Sequence, residues 1–305
     1  MVKTMKSLQE VYDAISGGKL KKIAVSAAAD LDVLTAVSKA REDGIAEAIL
    51  VGDKKKIIKI ANENNIDITP FEIIHIEDAN GSALEAVKLV SSGKADIIMK
   101  GLMESAPFLK AILNPEFGIR QEGRIISSLA VMEVKELDRL LFITDPGFIP
   151  MPDLKMKESI IKNAVEVVRK LGIERPKIAM LCATETVNPK MIATVEAKEL
   201  EEMNRNGEIL NCVIAGPISL DLAISKQSAK HKGYKSEVAG EADVLVVPTL
   251  EVGNVLYKSL VYFAHLKTGG IMTGAKTPII FTSRADSFET KLNTIALAVY
   301  LAQKE

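Results

Sequence analysis

The sequence predicts an α/β protein built on a mostly parallel sheet that is covered by helices. Strand-like and helix-like segments alternate almost throughout, and the strand-like segments are continuous apolar runs, as expected of strands buried on both faces. The chain has 305 residues, of which 48% are hydrophobic and 26% charged. This composition is that of an ordinary globular protein, and the length corresponds to about two domains.

The predicted elements follow one another as repeated strand and helix units. Strands are expected at residues 23–26, 48–51, 73–76, 96–99, 125–134, 140–144, 178–181, 212–215, 244–247 and 279–281. Helices are expected at residues 30–42, 81–91, 105–113 and 155–171, in a Lys-rich segment after Asp53, and from Phe288 to the C-terminus. Pro146, Pro150 and Pro152 interrupt this order and predict a domain boundary between residues 145 and 153.

Charge and cysteine usage restrict the functional class. The net charge is −1, which argues against a general nucleic-acid binder, so an anionic substrate would need a local cluster of positive groups. The N-terminus lacks the apolar core of a signal peptide, and no apolar run approaches the ~18 residues of a membrane span. Cys182 and Cys212 lie in apolar strand-like runs and are expected to be buried thiols. We expect a soluble, cytoplasmic protein that binds neither nucleic acid nor membrane.

Two common cofactor signatures and the usual metal signatures are missing from the sequence. The segment 269–277 is similar to a P-loop, in which a lysine directly follows the last glycine of the motif. Here Ala275 stands between Gly274 and Lys276, so the spacing does not match. No G-x-G-x-x-G follows an early strand, and His75, His231 and His265 are scattered along the chain. We therefore expect no metal and no resident cofactor.

The most informative segment, residues 278–287, reads P-I-I-F-T-S-R-A-D-S. A short apolar strand ends there in Thr282, Ser283 and Arg284, just before a helix begins. Ligands of open α/β sheets bind at the carboxyl ends of strands, and helix N-termini favour anions. An alternative is that Asp286 or Ser287 merely caps the last helix, with Glu289 or Thr290 in its first turn.

A second strand end carries the same kind of groups. Lys100 and Gly101 follow the predicted strand 96–99, and Ser105 and Lys110 lie on the next helix. Glycine would let the backbone approach an anion closely. Lys110 could equally be a solvated helix charge. For Asp145 and Asp153, helix capping or turn formation competes with a substrate contact.

Six collinear segments resemble the phosphate acetyltransferase and phosphate butyryltransferase family. They are residues 99–114, 144–154, 187–197, 215–225, 251–264 and 269–287. Within the family, F-L-K-A-I-L-N (residues 108–114) and A-G-E-A-D-V-L-V-V-P (residues 239–248) are more similar to the butyryl branch.

The resemblance implies two three-layer α/β/α domains of the isocitrate and isopropylmalate dehydrogenase type, with a cleft between them. The chain would return to its first domain near the end. The first domain would comprise residues 1–143 and 275–305 and carry the Ser-Arg pair, and the second would comprise residues 144–274. A homodimer or higher homo-oligomer is expected.

The resemblance also implies reversible acyl transfer: butanoyl-CoA and phosphate give butanoyl phosphate and CoA in a direct ternary complex. Ser283 and Arg284 match the family's catalytic pair. Substrate-binding roles would fall to Lys100, Gly101, Ser105, Lys110, Thr282 and Thr290. Two positions depart from the acetyl-transferring relatives, which have Arg at Lys110 and Asp at Thr290, so the base for the CoA thiol is unassigned.

Three other functions stay open at this point. Phosphate acetyltransferase would differ from the expected activity in the size of the acyl pocket. A dehydrogenase of the isocitrate type would need a cluster of metal-binding Asp residues at recognisable spacing. A non-catalytic CoA-binding protein would fit the absence of Asp at Thr290.

Overall fold

The computed structural model describes residues 3–283 and 286–304. The helices of this part are α1 (Leu8–Ile15), α2 (Leu31–Glu42), α3 (Lys54–Glu63), α4 (Ala79–Ser91), α5 (Ser105–Ile112), α6 (Leu154–Lys170), α7 (Ile192–Arg205), α8 (Leu220–Ile224), α9 (Lys226–His231), α10 (Leu250–Tyr262) and α11 (Phe288–Ala302). The strands are β1 (Lys21–Ser26), β2 (Ala46–Gly52), β3 (Glu72–His75), β4 (Ile97–Lys100), β5 (Ser127–Val134), β6 (Arg139–Thr144), β7 (Lys177–Leu181), β8 (Val213–Ile218), β9 (Val244–Val246), β10 (Lys267–Thr273) and β11 (Ile279–Ile280). The fold is mixed α/β, as the alternating pattern predicts.

The chain divides into two compact units. The signature unit comprises Leu8–Ile126 and the chain from Thr268 onward, and the central unit comprises the segment up to Ser7 and Ser127–Lys267. These boundaries lie earlier than the expected ones at residues 143 and 274. Strands β5 and β6 belong to the central unit because they form an antiparallel pair and β6 continues in parallel to β9. Strand β10 belongs with β11, its antiparallel neighbour.

The signature unit contains a sheet with the strand order β3-β2-β1-β4-β11-β10. All neighbouring strands in it are parallel except β10 and β11. Helix α2 begins at Asp30, whose carboxylate accepts the Val33 N–H at 3.0 Å, as the acidic cap predicts. Helix α11 packs against α1 and α2. Strand β4 is buried along its whole length, which explains the apolar run Ile97-Ile98-Met99 that precedes its last residue, Lys100.

The central unit contains a sheet with the order β5-β6-β9-β7-β8. Asp153 caps α6 by accepting the Met156 N–H at 2.8 Å, so capping accounts for this residue. Asp145, buried in the loop after β6, accepts the backbone N–H groups of Ser128, Gly147 and Phe148. Burial raises the pKa of the Asp145 carboxyl.

The structure also bears on the two cysteines and on the presence of membrane-spanning helices. Cys212 is buried and Cys182 partly buried, and burial raises the pKa of each thiol to about 11. Both therefore behave as small apolar side chains at neutral pH. Among the residues described, no helix has the length and apolarity to cross a membrane.

Candidate active site

Three parallel strands of the signature unit end side by side. Strand β4 lies between β1 and β11, with Ser26 beside Lys100 and Ile280 beside Met99. Because the strands run in the same direction, the residues that follow them emerge at one edge of the sheet. The two strand ends singled out from the sequence are therefore neighbours.

Gly101 allows the ends of β4 and β1 to approach closely. Its N–H donates to the Ser26 carbonyl at 2.9 Å, and the Leu102 N–H donates to the Ala27 carbonyl at 3.0 Å. A Cβ atom added to Gly101 would lie 2.4 Å from both of these carbonyl oxygens. The position therefore excludes any side chain, which is a packing reason for the glycine whether or not it contacts a substrate.

Lys100 places a buried ammonium group at this edge. The residue is 3% exposed, and its Nζ donates to the backbone carbonyls of Met103 at 3.2 Å and Gly101 at 3.4 Å. The same Nζ lies 5.4 Å from the centre of the Phe281 ring. These contacts orient the amine between β4 and the segment after β11. Such a preorganised charge suits an anionic ligand.

Helix α5 begins four residues after Gly101. Ser105, its first residue, is exposed. Phe108 is fully buried and packs on Phe281, with ring centres 6.0 Å apart, so this helix is fixed against the segment that follows β11. Lys110 is exposed in the last turn of α5, about 7.5 Å further along the helix axis than Ser105. Lys110 and Ser105 thus lie at different ends of α5.

The segment after β11 changes from buried to exposed within two residues. Thr282 is 4% exposed, whereas Ser283 is exposed. The Ser283 N–H donates to the Asp286 carboxylate at 2.7 Å, and the Asp286 N–H donates to the Ser283 carbonyl at 3.2 Å. Arg284, the second residue of the expected catalytic pair, lies outside the described residues. The observed turn fixes the backbone of Ser283 and leaves its side chain accessible.

The start of α11 also contains the predicted helix cap. Ser287 accepts the Thr290 N–H at 3.3 Å. Hydrogen bonds from the Glu289 N–H and the Ser287 hydroxyl lower the pKa of the Glu289 carboxylate. The cap itself joins Ser287 and Thr290 and does not involve Ser283, whose N–H donates to Asp286. The cap therefore does not compete with a role for Ser283.

Lys291 is a residue of this region that the sequence interpretation did not select. Its side chain is 3% exposed, its Nζ donates to the Asp286 carbonyl at 2.5 Å, and the Asp32 carboxylate lies 3.7 Å away. Lys291 thus supports the turn that holds Ser283. A signal exists in the sequence: Lys291 shares a helix face with Thr294, Ile295 and Ala298, all of which are buried.

The described ranges 3–283 and 286–304 contain no group of three or more His, Cys, Asp or Glu side chains that could hold a metal ion. Beside Ser283, the carboxylates of Asp286 and Glu289 already accept the hydrogen bonds given above. The available chemistry is therefore a buried cation, an exposed hydroxyl and the first turns of two helices.

Comparisons with known proteins find similar chains over almost the whole sequence. The family described as "Phosphate acetyl/butaryl transferase" matches residues 5–85 and 79–299. The chain is 47% identical over 298 residues to a phosphate butyryltransferase of Clostridium acetobutylicum, covering 98% of this chain and 99% of that protein. It is 48% identical over 299 residues to the Clostridium beijerinckii phosphate butyryltransferase, with 98% and 99% covered. A branched-chain phosphotransacylase structure from Enterococcus faecalis V583 is 34% identical, with a TM-score of 0.82, covering 93% of this chain and 99% of that one.

Proposed function

Because the chain belongs to the phosphate acetyl/butyryl transferase family, we propose that it catalyses reversible acyl transfer between coenzyme A and inorganic phosphate. In the preferred form, butanoyl-CoA and phosphate give butanoyl phosphate and CoA. The observation that carries the proposal is the similarity to phosphate butyryltransferases over nearly the full length of both chains. The cluster of strand ends described above supplies a site of suitable chemistry.

The proposed transfer is a single displacement in a ternary complex. A phosphate oxygen forms a bond to the carbonyl carbon of butanoyl-CoA, the carbon–sulfur bond breaks, and CoA leaves as a thiolate that takes up a proton. In the reverse direction the CoA thiolate attacks the carbonyl carbon of butanoyl phosphate, and phosphate leaves. Holding both reactants in one orientation supplies about 7–11 kcal/mol of the acceleration in favourable cases.

Both substrates are anionic, so positive groups must offset their repulsion. We assign this task to Lys100, whose ammonium group is already held at the strand end, and to Arg284 by its match to the family's Ser-Arg pair. Arginine suits a phosphoryl group because it forms paired, charge-assisted hydrogen bonds. Lys110 is exposed in a later turn of α5 and would offer one charge without this paired geometry.

Ser283 is assigned the position beside the CoA sulfur or the developing oxyanion. Its hydroxyl is exposed while its backbone is fixed by Asp286, which suits a positioning group. Thr282, Gly101, Ser105 and Thr290 complete the proposed contacts with substrate. Neither Asp286 nor Glu289 matches the Asp of the acetyl-transferring relatives, so the proton acceptor for the CoA thiol is left unassigned.

We also propose that the chain forms two three-layer α/β/α domains of the isocitrate dehydrogenase type and that it assembles as a homo-oligomer. We further propose that it is located in the cytoplasm and that catalysis needs no cofactor. The composition, the repeated strand and helix units and the resemblance support them.

A panel of acyl-CoA substrates tests the function. We expect phosphate-dependent release of free thiol that is faster with butanoyl-CoA than with acetyl-CoA, with acyl phosphate trapped as its hydroxamate. A tenfold preference for acetyl-CoA would assign the chain to the acetyl branch. Thermal stabilisation by CoA without turnover of any substrate would instead indicate a non-catalytic CoA-binding protein.

A further inference from the structure

Leu102 is an exposed apolar residue at the candidate active site. It follows Gly101 at the end of β4, and at 49% it is the most exposed large apolar side chain in the described part of the signature unit. Its backbone is fixed, because its N–H donates to the Ala27 carbonyl at 3.0 Å. A single exposed leucine is common on protein surfaces, so the groups around Leu102 decide what it can contribute.

Leu102 lies beside the ammonium group of Lys100. The Lys100 Nζ donates to the carbonyls of the two residues that flank Leu102, to Gly101 at 3.4 Å and to Met103 at 3.2 Å. Across a trans peptide, a carbonyl oxygen lies about 2.8 Å from the next Cα. The Cα of Leu102 is therefore no more than about 6.2 Å from the Lys100 nitrogen. An apolar side chain thus adjoins the charge that the site offers to an anion.

Phe281 supplies a second apolar surface at the same place. Its ring centre is 5.4 Å from the Lys100 Nζ, and the partly exposed ring is held by packing on the buried Phe108. Phe281 precedes Ser283 by two residues, so their Cα atoms are at most about 7.2 Å apart. Leu102 and Phe281, together called the apolar flank, therefore adjoin the groups to which the phosphate and the sulfur are assigned.

We propose that the apolar flank binds the alkyl chain of the acyl group, and that Leu102 favours butanoyl over acetyl. The proposal rests on the proposed function, in which the sulfur lies beside Ser283 and the phosphate beside Lys100. The carbonyl carbon of a thioester carries sulfur, oxygen and the alkyl chain in one plane, and phosphate attacks from outside that plane. Once sulfur and phosphate are placed, the alkyl chain is the apolar part of the acyl group that the flank can bind.

The length of the alkyl chain decides how much the flank contributes. Butanoyl exceeds acetyl by two methylene groups, and each methylene removed from water adds a similar increment of binding free energy. A methylene group in a closed apolar pocket changes kcat/KM about 10- to 200-fold. Leu102 covers one side of the chain only, so we expect its share to be smaller, about three- to tenfold.

Leu102→Ala tests the proposal through the ratio of kcat/KM for butanoyl-CoA to kcat/KM for acetyl-CoA, both measured with phosphate. The ratio is expected to fall about three- to tenfold, because butanoyl-CoA becomes a poorer substrate. The side chain is half exposed and fills no core volume, so the melting temperature should stay close to that of wild type.

Two further variants serve as controls for Leu102→Ala. Leu102→Met keeps an apolar side chain of similar volume and should hold the ratio within about twofold of wild type. Leu113→Ala removes a leucine of comparable exposure, 42%, at the far end of α5. It should leave the ratio unchanged.

Binding of non-reacting thioethers separates the alkyl contact from the chemical step. S-butyl-CoA and S-ethyl-CoA differ by two methylene groups and lack the carbonyl that phosphate attacks, and calorimetry gives the Kd of each. Wild type should bind S-butyl-CoA more tightly than S-ethyl-CoA. Leu102→Ala should reduce this advantage about three- to tenfold, while the Kd of CoA itself stays unchanged.

The outcomes distinguish this proposal from the proposed function. A ratio in Leu102→Ala that stays within about twofold of wild type would overturn the role of Leu102, although turnover itself would persist. So would an equal loss for both substrates, which would indicate a general defect at Lys100, or an equally large fall in Leu113→Ala. Absence of phosphate-dependent turnover with every acyl-CoA would instead count against the proposed function, and the thioether affinities would still decide whether the flank binds an alkyl chain.

Discussion

Substitution of Gly101 by alanine tests whether the close approach of two strand ends builds the site. The added Cβ would lie 2.4 Å from the carbonyl oxygens of Ser26 and Ala27, whereas real Cβ contacts do not fall below 3.0 Å. The end of β4 must therefore move by about 0.6 Å or more relative to β1. Both partners are backbone atoms, so rotating a side chain cannot relieve the clash.

The expected magnitude follows from this geometry. Overpacking of this kind costs about 1–3 kcal/mol. Separation of the strand ends also weakens the hydrogen bonds from Gly101 to Ser26 and from Leu102 to Ala27, each worth about 1 kcal/mol. We expect Gly101→Ala to lower the free energy of unfolding by about 2–4 kcal/mol. Because Lys100 moves with the strand end, kcat/KM should fall about tenfold or more, since a 1 Å misplacement can cost about a hundredfold.

The assay is phosphate-dependent release of thiol from butanoyl-CoA, measured beside the apparent melting temperature. Gly269→Ala is the matched control, because a Cβ on this glycine of the same unit meets its nearest atoms at an ordinary 3.4 Å. It should change neither property appreciably. Native stability and native kcat/KM in Gly101→Ala would refute the close-approach argument.

Three further predictions concern Lys291, Glu241 and metal independence. Lys291→Met should lower kcat/KM about ten- to a hundredfold, because it removes the charged hydrogen bond to Asp286 that supports the Ser283 turn. Unchanged kinetics would show that Lys291 does not support the site. Glu241, which accepts from Lys177 and Lys226, has its pKa lowered to about 2. The folded pKa is below the unfolded one, so ionised Glu241 stabilises the fold above about pH 4.5 and this contribution disappears toward about pH 2. Glu241→Gln should therefore lower the melting temperature at pH 7, by an effect of at most about 1 kcal/mol, and converge with wild type in acid; a constant difference at all pH values would contradict the assignment. Turnover should survive chelation, and loss of activity that a divalent ion restores would overturn metal independence.

The strand ends were predictable because their signals are local. The apolar runs of β4 and β11 and the polar residues directly after them are visible in the sequence, and parallel neighbours bring such ends together. The role of Lys291 was not found, because its burial depends on how α11 packs against the rest of the unit. Strand β10 was not predicted, since Gly269 and Gly270 interrupt its apolar pattern. The unit boundaries depend on which strands pair with β6 and β11, and periodicity does not encode that pairing.

The phosphate-dependent kcat/KM for butanoyl-CoA, measured for wild type, Ser283→Ala and Arg284→Lys, tests the central claim most directly. Wild type should release thiol and form butanoyl phosphate in equal amounts, and only when phosphate is present. Ser283→Ala should lower kcat more than it raises KM, and Arg284→Lys should lose about ten- to a hundredfold in kcat/KM. Both should keep a melting temperature close to that of wild type. Near-native kinetics in both variants, or a rate of thiol release that does not depend on phosphate, would contradict acyl transfer at this site.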